Sequence, residues 1–243
     1  MEKILPAADS DPQDRPGARA RRSAFIRDVI IGMSDGITVP FALTAGISGV
    51  VTGNTMIIIA GISEICAGSI SMGLGGFLSA KTEIQQYYAS RAKEYKEVHE
   101  VRESEKQEVR DALAYYGLSP KAQDLVADEL SADEDQWVRF MMRNELGLEE
   151  PDGHRAAKSA FNIGLSYVVG GVIPLTGYVL TATPSRGLSM SSAITFVSLL
   201  VFGYLKSKFT GEPPLRGAIK TAAIGVIAAS AAFGIAWFFN NRI

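Results

Sequence analysis

Four glutamates, Glu94, Glu97, Glu105 and Glu108, lie in a stretch with no Gly or Pro between Phe77 and Gly117. At about 100° per helical residue they share one stripe roughly 80° wide, while Glu100, Glu103 and His99 point elsewhere. Each pair is Glu-x-x-Glu, and carboxylates at i and i+3 can share one ion. Like charges so aligned repel, so a cation is the expected compensation. Glu97 and Glu105 would stand ~12 Å apart on a straight helix, too far for a single ion. Either several ions bind in a row, or the helix breaks near 99–104 and folds back. A solvated acidic face is the plain alternative for such a helix taken alone.

A second group shifts that balance. In Met141-Met142-Arg143-Asn144-Glu145, Met141 and Glu145 are i, i+4 and Met142 and Glu145 are i, i+3, so thioether and carboxylate share a helix face. Hard and soft ligands together suit Fe²⁺ and similar late first-row ions. Hydrophobic packing is the competing reading of the Met pair. The same ligand types recur inside apolar segments at Asp35, Glu64 and Met72. A carboxylate within a membrane span costs at least a few kcal/mol unless it is paired or hydrated. No Lys or Arg stands at matching depth in any span. Asp35 and Glu64 must therefore face a cavity, share protons or bind a cation. Met72 lies roughly 12 Å along the helix from Glu64.

Other chemistry is absent. The chain has two His, and neither completes a Glu-x-x-His of the kind used by di-iron oxidation sites. No P-loop, Gly-x-Ser-x-Gly or His-Glu-x-x-His occurs. Neither an enzymatic activity nor a prosthetic group is expected. The formal net charge of -2 gives no reason to expect nucleic acid. The single cysteine, Cys66, excludes an intrachain disulfide and reads as a small buried hydrophobe.

Apolar runs near both ends flank a polar middle. Spanning a ~30 Å hydrocarbon core takes about 20 apolar residues, and five runs qualify: about 29–51, 56–80, 160–182, 188–205 and 218–239. The fold class is all-α, a five-span transmembrane helix bundle with a three-helix cytosolic domain between spans 2 and 3. Residues 1–24 read as a disordered tail, 25–80 as spans 1 and 2, 81–158 as the polar insert and 159–243 as spans 3 to 5. The insert's first helix extends span 2 to Tyr116. Ser119-Pro120 starts a second near 120–130, and a Ser131/Glu134 capping box starts a third near 132–146. Pro40 and Pro174 predict kinks or local unwinding within spans 1 and 3. Lys and Arg alternate sides along the loops, which puts the N-terminus and the insert in the cytosol and the C-terminus in the lumen.

These residues resemble a known family. Ser34-Asp35-Gly36-Ile37-Thr38-Val39-Pro40-Phe41 looks like the first-span signature of vacuolar iron transporters, and Ser63-Glu64 with Gly68-Ser69-Ile70-Ser71-Met72-Gly73 resembles the second. The insert ending in Met141-Met142-Arg143-Asn144-Glu145-Leu146-Gly147 is similar to the plant-type metal-binding domain. The resemblance covers roughly residues 25–240. It implies a homodimer in the vacuolar membrane that exchanges cytosolic Fe²⁺ for protons. Asp35, Glu64 and Met72 would line the path. Glu94, Glu97, Glu105, Glu108, Met141, Met142 and Glu145 would bind metal in the cytosolic domain. Mn²⁺, Co²⁺, Ni²⁺ and Zn²⁺ are conceivable surrogates. A membrane-anchored ferroxidase-like protein and a metal-gated channel are the alternatives.

Overall fold

The computed structural model describes residues 16–240 of the chain, with side chains from 21 to 239. Among the described residues every regular element is helical: α1 (Pro16–Ser48), α2 (Asn54–Glu100), α3 (Arg102–Tyr115), α4 (Pro120–Leu130), α5 (Glu134–Asn144), α6 (Arg155–Val179), α7 (Pro184–Thr210) and α8 (Pro214–Asn240). The chain divides into two compact units, one of residues 1–77 and 157–243 and the other of residues 78–156. Helix α1 starts at Pro16, inside the segment read as a tail; residues 1–15 lie outside the described residues.

The first unit holds the apolar segments of five helices long and apolar enough to cross a membrane. Helix α8 has the highest mean hydropathy, 2.0, yet only 11% of its apolar window is buried within the molecule, so its outer surface requires lipid or another chain. Close approach of backbones holds the unit together. A Cβ on Gly32 or Gly36 of α1 would run into the carbonyls of Ile163 and Tyr167 on α6. On α2, a Cβ at Gly73 would come within 3.0 Å of the Ala160 carbonyl oxygen. Helix α6 is thus gripped between α1 and α2 through small residues, the usual way helices associate without a hydrophobic driving force between them. Asn54, at the start of α2, donates to the carbonyls of Tyr178 (2.9 Å) and Thr181 (2.7 Å) and ties the start of α2 to the end of α6.

The local unwinding expected as one alternative at Pro40 and Pro174 does not occur. Helices α1 and α6 run without interruption through Pro40 and Pro174. Gly36 and Pro40 are both buried, and Thr44 Oγ1 donates to the Pro40 carbonyl at 2.8 Å, so packing and neighbouring hydrogen bonds keep the backbone helical. Cys66, read as a buried hydrophobe, is exposed on α2.

The second unit has its own core, built from Tyr87 and Val98 of α2, Val109 and Leu113 of α3, Ala127 of α4, and Trp137, Val138, Met141 and Met142 of α5. The predicted extension to Tyr116 is broken: α2 ends at Glu100, and Val101 has φ -130° and ψ 41°. This is the break anticipated as one alternative for residues 99–104. On a straight helix Val98 and Val109 would stand ~16 Å apart; here they share one core. Arg102 secures the departure, stacking 4.9 Å above the Trp137 ring and donating to the Ser131 carbonyl. Lys106–Asp128 and Arg110–Asp124 pairs, both 2.8 Å, join α3 to α4. The predicted capping box is replaced as well. Asp133 caps α5 by accepting from the Gln136 N–H at 3.1 Å, whereas Ser131 Oγ donates to the Asp128 carbonyl. Gly117 and Gly147 adopt φ of +78° and +63°, the left-handed geometry that stops a helix.

Replacing Gly36 by Leu is expected to destabilise the apolar unit by ~1–3 kcal/mol through overpacking against α6. Gly234→Ala, at a position with open space around it, leaves stability unchanged or slightly raised. Thermal unfolding of the detergent-solubilised protein, followed by circular dichroism, distinguishes the two.

Candidate ion path and acidic cluster

Glu64 projects from the apolar half of α2 and is half-buried. Its partner comes from α6. The Tyr167 hydroxyl donates to Glu64 Oε1 at 2.9 Å and lies 3.1 Å from Oε2. Tyr167 is itself 2% exposed. Its ring fits because two neighbours lack side chains: a Cβ on Gly36 would meet its backbone, and one on Gly68 its phenol. Asp35, half-buried on α1, is within electrostatic range of the same hydroxyl. Among the described residues neither Asp35 nor Glu64 forms an ion pair. Met72 is half-buried two turns beyond Glu64 on α2. The bundle therefore brings Asp35 and Glu64 to one phenol. Sequence reasoning placed the acids but missed Tyr167. A tyrosine amid the glycines of an apolar run, with carboxylates lacking a cation at the same depth, was the available signal.

In the second unit the stripe faces inward, as its angular position requires. Glu94 and Glu105 are 3% and 4% exposed, Glu97 and Glu108 half-buried, and Glu100, Glu103 and His99 exposed. The Val101 break puts Glu105 in the field of Glu108, Glu94 and Glu97. Burial first, and then those charges, push the Glu105 carboxyl up from 4.5 to about 7. Glu145, just past α5, joins the group. Partial loss of water and the charge of Glu108 and Glu94 raise it to about 7, and its side chain shares a hydrogen bond with Glu108. Two carboxylates so joined hold a proton between them. One oxygen each of Glu94 and Glu105 is buried with no hydrogen-bond partner. Lys93 is the nearby counter-charge, 3.0 Å from Glu97.

Five carboxylates thus form one electrostatic cluster. Among the described residues, however, no three His, Cys, Asp or Glu converge closely enough to hold one ion. Met141 and Met142, 1% and 2% exposed, belong to the core of the same unit.

Residues 26–237 match the VIT family profile. The chain belongs to the VIT family. Vacuolar iron transporter 1 of Oryza sativa subsp. japonica is 44% identical over 236 residues, covering 97% of this chain and 94% of that protein. Vacuolar iron transporter 1 of Arabidopsis thaliana is 48% identical over 212 residues, 87% of this chain and 85% of the relative. Protein CCC1 of Saccharomyces cerevisiae is 36% identical over 223 residues, 88% of this chain and 67% of its own. The match includes both the acids of the apolar bundle and the acidic insert.

The raised carboxyls give this VIT protein a pH signature with a definite sign. Between 4.5 and about 7 the folded chain holds protons at Glu105 and Glu145 that the unfolded chain releases. Stability of the metal-free second unit therefore falls as pH rises through that window. Thermal unfolding read from Trp137 fluorescence in a Trp237→Phe background follows this unit. Glu105→Gln is expected to flatten the pH dependence, and an equally steep profile in that variant would contradict the assignment.

Proposed function

We propose that this VIT protein moves Fe²⁺ from the cytosol into the vacuole in exchange for protons, as a homodimer of five-span chains. The observation that carries the reading is the Glu64–Tyr167 pair, with Asp35 beside it, inside a bundle of helices suited to lipid. A carboxylate at that depth without a basic partner is stable when it carries a proton or a cation, and exchanging one for the other is the elementary step of an antiporter. The names of the rice and Arabidopsis relatives, which match along most of their length, supply the cargo and the membrane.

The path runs along Asp35, Glu64 and Met72. Tyr167 orients the Glu64 carboxylate by donating to it and so keeps its free lone pairs available to the ion. Met72 offers a soft ligand that favours a transition ion over Mg²⁺. In the cytosol, Glu94, Glu97, Glu105, Glu108 and Glu145 gather the ion, with Met141 and Met142 as softer donors. Carboxyls with pKa near 7 release protons as the metal arrives and take them back when it leaves. The basic residues Arg15, Arg19, Arg21, Arg22 and Arg27 before and within the start of α1 support a cytosolic N-terminus and a lumenal C-terminus. The cycle draws on the proton gradient and uses no ATP.

Proteoliposomes with an acidic lumen test the reading. The wild type accumulates Fe²⁺ and dissipates the pH gradient in step with it; Mn²⁺, Co²⁺, Ni²⁺ and Zn²⁺ are run in parallel. Asp35→Ala abolishes metal-dependent proton movement. Tyr167→Phe, which removes one hydrogen bond to a charged group, lowers exchange roughly tenfold or more while leaving the fold intact. Undiminished exchange in Asp35→Ala would overturn the path. Flux that ignores the pH gradient would identify a channel.

A further inference from the structure

A cavity of about 670 Å³ opens at the end of the bundle where α1 begins and α7 finishes. That volume falls within the ~300–1,000 Å³ typical of sites for small ligands. Three cations line it: Arg22 and Arg27 from α1, and Lys206 from α7. No carboxylate lies among its lining residues. Neither the Arg22 nor the Lys206 side chain has an ion-pair or hydrogen-bond partner among the described residues, and Lys206 is half-buried. The hydroxyl residues Ser23 and Thr210 also border the space. Ile30, two turns along α1 from Arg22 toward the bundle centre, and Phe209 of α7 supply apolar walls.

We propose that this cavity binds the phosphorylated headgroup of an anionic phospholipid. The half-withdrawn Lys206 ammonium and the Arg22 guanidinium, both without a partner among the described residues, face a space with no acid among its lining residues, an arrangement that an anion completes. Guanidinium groups match phosphate oxygens with paired N–H donors. The residues sit where an apolar helix meets the polar edge of a bilayer, and basic pockets between spanning helices at that level suit lipid phosphates. Ile30 and Phe209 offer a surface for the first part of an acyl chain, which a free phosphate would leave uncovered. A phosphomonoester, with about -1.5 to -2 charge at neutral pH, matches the two cations Arg22 and Lys206 better than a phosphodiester does. This site is distinct from the ion path, and its test does not depend on transport.

The test uses the full chain in detergent micelles with a fluorescent phosphatidylinositol phosphate as probe and labelled phosphatidylcholine as reference. The wild type binds the first in preference to the second. The Arg22→Gln/Lys206→Gln double variant loses about thirtyfold in affinity, at roughly five- to sixfold for each basic residue removed. Ile30→Trp keeps every charge but fills the space, and it also weakens binding. Lys208→Gln removes one charge from the same end of α7 outside the cavity and leaves binding unchanged. Arg22→Gln alone, at an exposed position, covers the case in which the double variant misfolds. Equal losses from Lys208→Gln and from the cavity variants would reduce the effect to diffuse charge and overturn the site. Displacement of the probe by soluble inositol phosphate at matching concentration would show that the headgroup alone suffices, and would overturn the assignment to a lipid.

Discussion

A negative charge within an oily layer must be neutralised, solvated or partnered, and the bundle is arranged around that requirement. Glu64 receives a hydrogen bond from Tyr167, and Tyr167 occupies its place because α1 and α2 present glycines to it. Any bulk at Gly36 or Gly68 would displace the phenol and leave the carboxylate without its donor. The small residues that let three helices approach are therefore the same ones that fix the chemistry of the acid. Packing and charge are a single constraint here, and neither can be altered without the other.

The second unit meets the opposite problem. Its acids are close to water but turned inward, against a core of aliphatic, aromatic and thioether side chains. The core sets the break at Val101, and the break sets the distance between the two Glu-x-x-Glu pairs. Repulsion is eased by the Lys93 counter-charge at Glu97 and by the upward shift of the Glu105 and Glu145 carboxyls, which favours their protonated forms.

Much of this was legible in the residues. Apolar length announced five spanning helices, and helical spacing separated Glu94, Glu97, Glu105 and Glu108 from Glu100 and Glu103. Gly117 and Gly147 marked two helix ends because only a left-handed turn closes them there. The remainder required long-range contacts. No Gly or Pro dictates the break at Val101; the distant Trp137, Ser131 and Asp128 do. Asp133 outcompeted Ser131 as a cap because the preceding turn engages the serine with Asp128. Proline suggested unwinding at positions 40 and 174, yet both segments remain helical, and hydroxyls take up the proline carbonyls, Thr44 at Pro40 and Ser191 at Pro174. Tyr167 takes its role from a long-range contact, its hydroxyl lying opposite Glu64 across two helices.

The burial of Met141 and Met142 carries a consequence for the life of the molecule. Both sulfurs belong to the core that shapes the acidic cluster. Oxidation of either to the sulfoxide would drive a polar oxygen in among Val98, Val109 and Trp137. Redox damage at this spot would then act as a loss of fold, scattering the glutamates even though none of them had been chemically touched. Reductive repair of two thioethers becomes a condition for keeping five carboxylates together.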